Sequence, residues 1–396
     1  AVRFSSSYKK SSNHQVIRTP IFCSPTTVDE EPLFRVWSLF LLFGMLTICI
    51  SKIIYTNENE EERMTDKGKS KTSDTVTMKD VAALANVSIA TVSRFLNGDL
   101  SRMSTNTAKT VKSAIDKLNY VPNSAARQMV TKSSGLIAII VANIDDFFST
   151  ELFKGISAML ESKGYVGVLF DSNSDVTREK ELMTIVSTHT FDGLIIQPFS
   201  SVKVISDTIR RNIPIVIVDR EIEQSPWTQV VTNNYEAARN AAKYFRNEGF
   251  THAIVVTSNL NLATNRRERY RGILSEIDNT TLVEVSESSY NHKKVSQLLE
   301  KLLKDSKEKT LIFALKERWI TEFVPSLFYK GYIDNKRVAI TGFADTSLAK
   351  YIDPHTKLIA QNPYLMGASA AEVMTDKLTN MNVRIDNTIV VPAKFE

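Results

Sequence analysis

The chain has 396 residues, with 49 Lys and Arg against 44 Asp and Glu, two Cys and 13 Gly. That length suits two or three domains, and 43% hydrophobic with 23% charged residues excludes both a disordered chain and an integral membrane bundle. The net charge of +5 is uneven: residues 1–75 carry 10 basic and 9 acidic side chains, 76–134 carry 8 and 3, and 135–396 carry 31 and 32. The excess belongs to about sixty residues, a small basic module on a neutral body.

Residues 1–75 read as a leader. Both cysteines, Cys23 and Cys49, fall in it, which excludes a disulfide-stapled body and allows a cytoplasmic one. The run 36–50 (VWSLFLLFGMLTICI) has no charge, and extended to residue 55 it reaches the minimum length of a membrane span. It lies too far from the N-terminus for an ordinary secretory signal. Three readings stand: a membrane anchor, a buried helix, or upstream sequence translated in frame. The chain begins with Ala1, and residues 60–63 (EEER) encode a purine-rich tract just ahead of Met64. The expectation is that translation normally starts at Met64.

Residues 76–122 carry the basic excess. Val81, Leu84 and Ala85 fall at i, i+3, i+4 and predict a short amphipathic helix from about Lys79. The run 86–88 (Asn-Val-Ser) breaks it, with Asn able to take the left-handed conformation of a tight turn. Ser88 is a good N-cap for a second helix whose buried stripe is Val92, Phe95 and Leu96, ended by Asn97 and Gly98. Ser104 caps a third helix with Val111, Ile115 and Leu118 on one face. Two short helices joined by a three-residue turn, with a third completing the core, describe a helix-turn-helix domain. Its second helix would present Ile89, Ala90 and Arg94 to base edges in the major groove, with Arg94 suited to guanine. Ser88, Thr91, Ser93 and Asn97 suit phosphates.

The segments KDVAALANVSIATVSRFLNG (79–98) and LNYVPNSAARQM (118–129) resemble the lactose repressor (LacI/GalR) family of bacterial regulators, and the similarity runs from about Thr77 to the C-terminus. One departure is Asn86, where the family usually has Gly. The resemblance implies that residues 123–134 are a hinge helix, too short to be stable alone, that folds on operator DNA. Paired hinge helices would enter the minor groove, with Met129 as the apolar wedge, Ala126 packing beneath it, and Asn123 and Arg127 touching sugar–phosphate.

Residues 135–396 switch period. Strand-like runs at 136–143, 165–172, 192–199 and 214–221 alternate with helical stretches near 149–163, 177–189 and 202–211. The pattern restarts at 252–258, 282–285, 310–315 and 337–344, and a tail from residue 358 returns across both halves. This predicts two doubly wound α/β lobes, like those of periplasmic binding proteins, with a ligand beyond the carboxyl ends of the strands. Reading off those ends gives Asn143, Asp145, Phe147, Phe148, Asp171, Asn173, Gln197, Asp219 and Arg220 in the first lobe. The second supplies Arg266, Arg269, Lys316, Glu317, Trp319, Asp345 and Gln361.

By family position Arg269, Asp219 and Asp345 resemble sugar-contacting residues. Where the family usually shows Asn-Asp, this chain has Lys316 and Glu317. With Arg220, Arg266 and Arg269 near, Lys316 points to an anionic ligand, a sugar acid or phosphosugar.

The five His are scattered, with no zinc or nucleophile motif, so neither catalytic residues, a metal nor a cofactor is expected. The reading is a ligand-responsive transcription regulator, a repressor acting as a homodimer on double-stranded operator DNA. The rival is a membrane-tethered sugar-binding receptor that uses residues 36–55 as its anchor.

Overall fold

The computed structural model describes residues 15–17, 76–101, 103–121, 133–346, 348–380 and 386–396. The apolar run 36–55, both cysteines, Met64 and the hinge residues Asn123, Ala126, Arg127 and Met129 lie outside the described residues. Among the described residues no helix is long and apolar enough to cross a membrane. A short strand, β1 (Gln15–Ile17), pairs in parallel with the edge of the second sheet described below.

The basic module is three helices: α1 (Met78–Leu84), α2 (Ile89–Leu96) and α3 (Thr105–Leu118). Thr77 and Asp80 form a capping box at the start of α1, and Ser88 and Ser104 cap the next two by accepting the Thr91 and Thr107 N–H groups (3.2 and 3.1 Å). Val81, Val92 and Val111 are fully buried at the centre of the three-helix core. Leu84, assigned above to the buried stripe of α1, instead faces solvent, and Ala82 takes its place inside. The interhelical turn works as the sequence implies, because Asn86 has φ +52°.

The body holds two sheets. The first, in order β12-β6-β5-β4-β2-β3, is all parallel and comprises β2 (Leu136–Val141), β3 (Val166–Asp171), β4 (Gly193–Ile196), β5 (Ile215–Val218), β6 (Thr228–Val231) and β12 (Thr388–Val390). Helices α4 (Phe147–Ser162) and α12 (Pro363–Thr379) cover one face, while α5 (Val176–Thr188) and α6 (Val202–Thr208) cover the other. The central strands are near-continuous Ile and Val because both faces are buried. Helices α4 and α12 cross at Gly155 and Gly367, where any Cβ would strike the backbone of the facing helix.

The second sheet runs β1-β8-β7-β9-β10-β11-β13, with β7 (His252–Thr257), β8 (Thr280–Glu284), β9 (Thr310–Ala314), β10 (Val338–Ala344), β11 (Ile359–Ala360) and β13 (Lys394–Phe395). Only the β11–β13 pair is antiparallel. Helices α7 (Asn234–Asn247) and α8 (Thr264–Leu274) cover one face, and α9 (His292–Asp305) and α10 (Glu317–Tyr329) the other. A short helix, α11 (Leu348–Ile352), follows β10. The two doubly wound lobes are those expected from the alternating pattern.

The chain crosses between lobes three times, near residues 232–234, 361–362 and 391–393. The crossings are tied together: the Thr232 hydroxyl donates to the Val391 carbonyl (2.6 Å), and the Ala393 N–H to Asn233 Oδ1 (2.8 Å). At the start of the body Asp192 accepts the Ser134 and Gly135 N–H groups (both 2.8 Å), fixing the point where the chain enters β2.

The turn between α1 and α2 sets a stability test. Asn86→Val, which forces a β-branched residue to positive φ, should cost about 1–2 kcal/mol, whereas Asn86→Gly should be neutral or slightly stabilising. Thermal unfolding of the variants checks this, and equal melting temperatures for the two would refute it.

Candidate effector cavity and DNA-reading helix

On α2, Ser88, Ile89, Ala90, Arg94 and Asn97 are exposed, and Thr91 and Ser93 are half-buried. Ser88 and Thr91 spend their hydroxyls on each other (2.9 Å) and on the helix cap. Ile89 is a large apolar side chain left 45% exposed, and Arg94 on the same helix is exposed as well. Ile89 suits a thymine methyl as Arg94 suits guanine.

In the body, a narrow polar cavity of about 30 Å³ lies between the carboxyl ends of the two sheets, where folds of this kind place their ligands. Nine of the residues picked from strand ends line it: Phe148, Gln197, Asp219, Arg220, Arg266, Arg269, Lys316, Asp345 and Gln361. Asp146, Asn265 and Leu315 complete the lining and were not picked. The remaining seven candidates, exposed Asn173 among them, stand elsewhere. Asn143 uses its Oδ1 to accept the Asp145 N–H (2.8 Å), and Asp145 itself is exposed while its neighbour Asp146 turns inward. Phe147 is half-buried, and Asp171 accepts the Asn173 N–H (2.9 Å). Trp319 is core, packed on Tyr290 and Phe323. Glu317 is fully buried, and its carboxylate accepts the backbone N–H groups of Asp345 and Thr346 (both 2.9 Å). It shapes the loop that presents Asp345.

Asp219 ends β5 with φ +64°, a costly conformation for a residue with a Cβ, and its carboxylate is held by Gln197 Nε2 (2.7 Å) and Asn265 Nδ2 (2.9 and 3.0 Å). Gln197 is itself oriented by the Ala142 N–H (2.9 Å). Arg269 lies at the crossings: its guanidinium donates to Asn234 Oδ1 (2.7 Å), the Leu315 carbonyl (2.6 Å) and Gln361 Oε1 (2.7 Å), and stacks 3.7 Å over Phe343. It joins the first and second crossings to the sheet.

Lys316 bridges the lobes, 2.7 Å from Asp146 Oδ2 and 2.8 Å from Glu287 Oε1. Arg266 also meets Glu287 Oε1 at 2.5 Å. Glu287 was missed because strand 282–285 was read only as a short run. Applying the same strand-end rule beyond β8 finds it. Burial opposes its charge, but Lys316, Arg266 and Arg220 hold its carboxyl far below the ordinary range.

Arg220 is different. Its guanidinium stacks 3.9 Å over Phe199, and burial, with Arg266 nearby, pulls its pKa down to about 10, so it stays charged at neutral pH. The Phe199 loop is fastened from below by buried Glu179, which accepts the Phe199 and Ser200 N–H groups (2.7 and 2.9 Å). Arg220 Nε and Nη1 have no hydrogen-bond partner, its approach to Asp219 being 4.0 Å, and Asp146 Oδ1 is likewise unpartnered. Burial and the neighbouring Asp146 push Asp345 up to about 8, despite Arg269. Among the described residues no His, Cys, Asp and Glu group could hold a metal ion.

A helix-turn-helix module and a two-lobed body with a polar cavity are the parts of a ligand-responsive transcription regulator. Residues 77–123 match the family model described as bacterial regulatory proteins, lacI family, and 137–381 match the periplasmic binding protein domain. The HTH-type transcriptional regulator KdgR of Bacillus subtilis is 30% identical over 312 residues, covering 77% of this chain and 91% of that one. A crystal structure of a LacI transcriptional regulator from Lactobacillus brevis is 51% identical over 66% of this chain and all of that one, with a TM-score of 0.63. The lac repressor dimer bound to operator shares the fold at 19% identity, covering 81% of this chain and 97% of that one, with a TM-score of 0.68. The chain belongs to the LacI family of DNA-binding transcription regulators.

Asp345 gives a pH prediction. With its folded pKa raised from 3.8 to about 8, the folded state holds an extra proton between those values, so this group's contribution to stability falls as pH rises through that window. Asp345→Asn, which keeps an acceptor for Gln361, should lose less melting temperature than wild type between pH 6 and 9. An identical profile for the two proteins would show that Asp345 titrates normally.

Proposed function

We propose that the chain is a homodimeric repressor whose affinity for a pseudo-palindromic operator is set by a sugar acid bound between the lobes. One observation carries the effector reading: Arg220 has two unpartnered N–H groups and Asp146 an unpartnered oxygen, all buried against one cavity. Buried polar groups are normally satisfied. A carboxylate for Arg220 and a ligand hydroxyl for Asp146 satisfy both, with Gln197, Asp219, Asp345 and Gln361 available to further hydroxyls. A phosphosugar is the weaker reading, since Lys316 is already shared between two carboxylates.

On the DNA side, Ile89, Ala90 and Arg94 read bases, while Ser88, Thr91, Ser93 and Asn97 contact phosphates. Residues 123–134 form the hinge, with Met129 as the wedge, Ala126 beneath it, and Asn123 and Arg127 on the backbone. Ligand binding reorients the lobes and shifts the hinge between ordered and disordered states. The DNA-reading module requires access to DNA, which disfavours the membrane-tethered receptor.

Two measurements test this reading. Salt-dependent operator binding should fall for both Arg94→Ala and Met129→Ala. The first should lose about 1–3 kcal/mol of sequence discrimination and the second mainly affinity. Wild-type behaviour from both variants would refute the contact assignment. In a panel of neutral sugars, sugar acids and phosphosugars, sugar acids should give the largest thermal shift and the strongest change in operator occupancy. Equal shifts from neutral and acidic sugars would overturn the effector class.

A further inference from the structure

Next to the effector cavity, and sharing Arg266 with it, a second cavity of about 300 Å³ opens, lined among others by Ser174, Ser258 and Glu287. The wall between the two is the Glu287 cluster. Glu287 Oε1 takes Arg266 (2.5 Å), Lys316 (2.8 Å) and the Ser258 hydroxyl (2.8 Å), and Oε2 takes the Ser174 hydroxyl from the opposite lobe. A carboxylate receiving a guanidinium, an ammonium and two hydroxyls has the surroundings of a bound anion. No strand or helix requires an acid here, since Glu287 lies three residues beyond the end of β8.

We propose that Glu287 is a specificity-determining residue: its carboxylate occupies the anion seat that Arg266 and Lys316 would otherwise offer to the ligand. This inference rests on the sugar-acid reading and deepens it. Of the cavity's cations, Arg269 is spent on the crossings, and Arg266 and Lys316 are neutralised from within. Arg220 alone retains unpartnered donors, which limits the ligand to one negative charge delivered at one place. A phosphate monoester, carrying nearly two charges, would have to share Arg266 and Lys316 with Glu287 against like-charge repulsion. Removing the Glu287 charge therefore opens the site to phosphate.

The test uses inorganic phosphate as probe on the full chain, read by thermal shift and titration calorimetry against chloride at equal ionic strength. Glu287→Ala, which empties the seat, should bind phosphate at least about tenfold more tightly than wild type. Adding Lys316→Met to that variant should abolish the gain. Burying two cations without their partner destabilises, so Glu287→Gln, which keeps the shape and one acceptor oxygen for Arg266 and Lys316, is measured alongside. It should show a smaller gain of the same sign. Phosphate responses equal to wild type in both Glu287 variants would overturn the proposal, as would a wild type that already binds phosphate equally well. Phosphate binding by Glu287→Ala, with no sugar-acid binding by wild type, would sink the effector reading and leave the seat standing. The reverse outcome would sink the seat alone.

Discussion

Taking four cations out of water is the constraint around which the interlobe cleft is built. Arg220, Arg266, Arg269 and Lys316 all line one small cavity, and an unpaired buried charge costs several kcal/mol. The remaining architecture answers that cost. Arg269 is neutralised by geometry, with three donors on two amide oxygens and a carbonyl, and with its face on Phe343. Arg266 and Lys316 are neutralised by charge, through Glu287 and Asp146. Arg220 is only half answered, by an aromatic ring and a carboxylate at 4.0 Å. The cleft thus distinguishes cations bonded within the protein from one, Arg220, that keeps unpartnered N–H groups.

The same bonds hold the lobes together. Lys316 to Asp146, Asn265 to Asp219 and Ser174 to Glu287 each run from one lobe to the other, and the Thr264 hydroxyl adds a fourth link to the Glu221 carbonyl (2.8 Å). These links flank the three crossings, so closure draws on side-chain chemistry within the cleft as well as on the backbone. Strain is placed accordingly: Asp219 accepts a left-handed backbone and gains Gln197 and Asn265 in exchange.

How much of this was legible in the sequence follows from range. The Ile and Val strands and the three capped helices were readable because they depend on neighbours within a few residues. The cavity was partly readable because parallel strands aim their carboxyl ends at one place, and nine residues followed from that rule. The failures are tertiary. Glu317 and Trp319 follow Lys316 on a strand end as convincingly as any ligand contact, yet a helix starting at Glu317 turns one onto a backbone loop and the other into the core. Asp145 and Asp146 differ by one residue, and only the N-terminus of α4 decides which faces inward. Leu84 was assigned inward by periodicity, but α1 has seven residues, too short for a wide apolar stripe. The strand-end rule reaches Glu287 but cannot say what it does, because its meaning comes from Arg266 and Lys316, 21 and 29 residues away.

That distribution of charges bears on how a ligand could switch the protein. An effector shifts a two-state equilibrium only by its difference in affinity for the states. A ligand that merely replaced the Lys316–Asp146 bridge with equivalent bonds would gain little, because the closed lobes already make them without help. The unpartnered N–H groups of Arg220 and the unpartnered oxygen of Asp146 are another matter. They are buried and satisfied by no protein atom, so this arrangement of the lobes carries their desolvation. In an arrangement that admitted water to them, the same ligand contact would be worth less. Under the proposed effector reading, the differential affinity that switching requires concentrates on these two residues, with Glu287 the proposed filter on which ligands approach them.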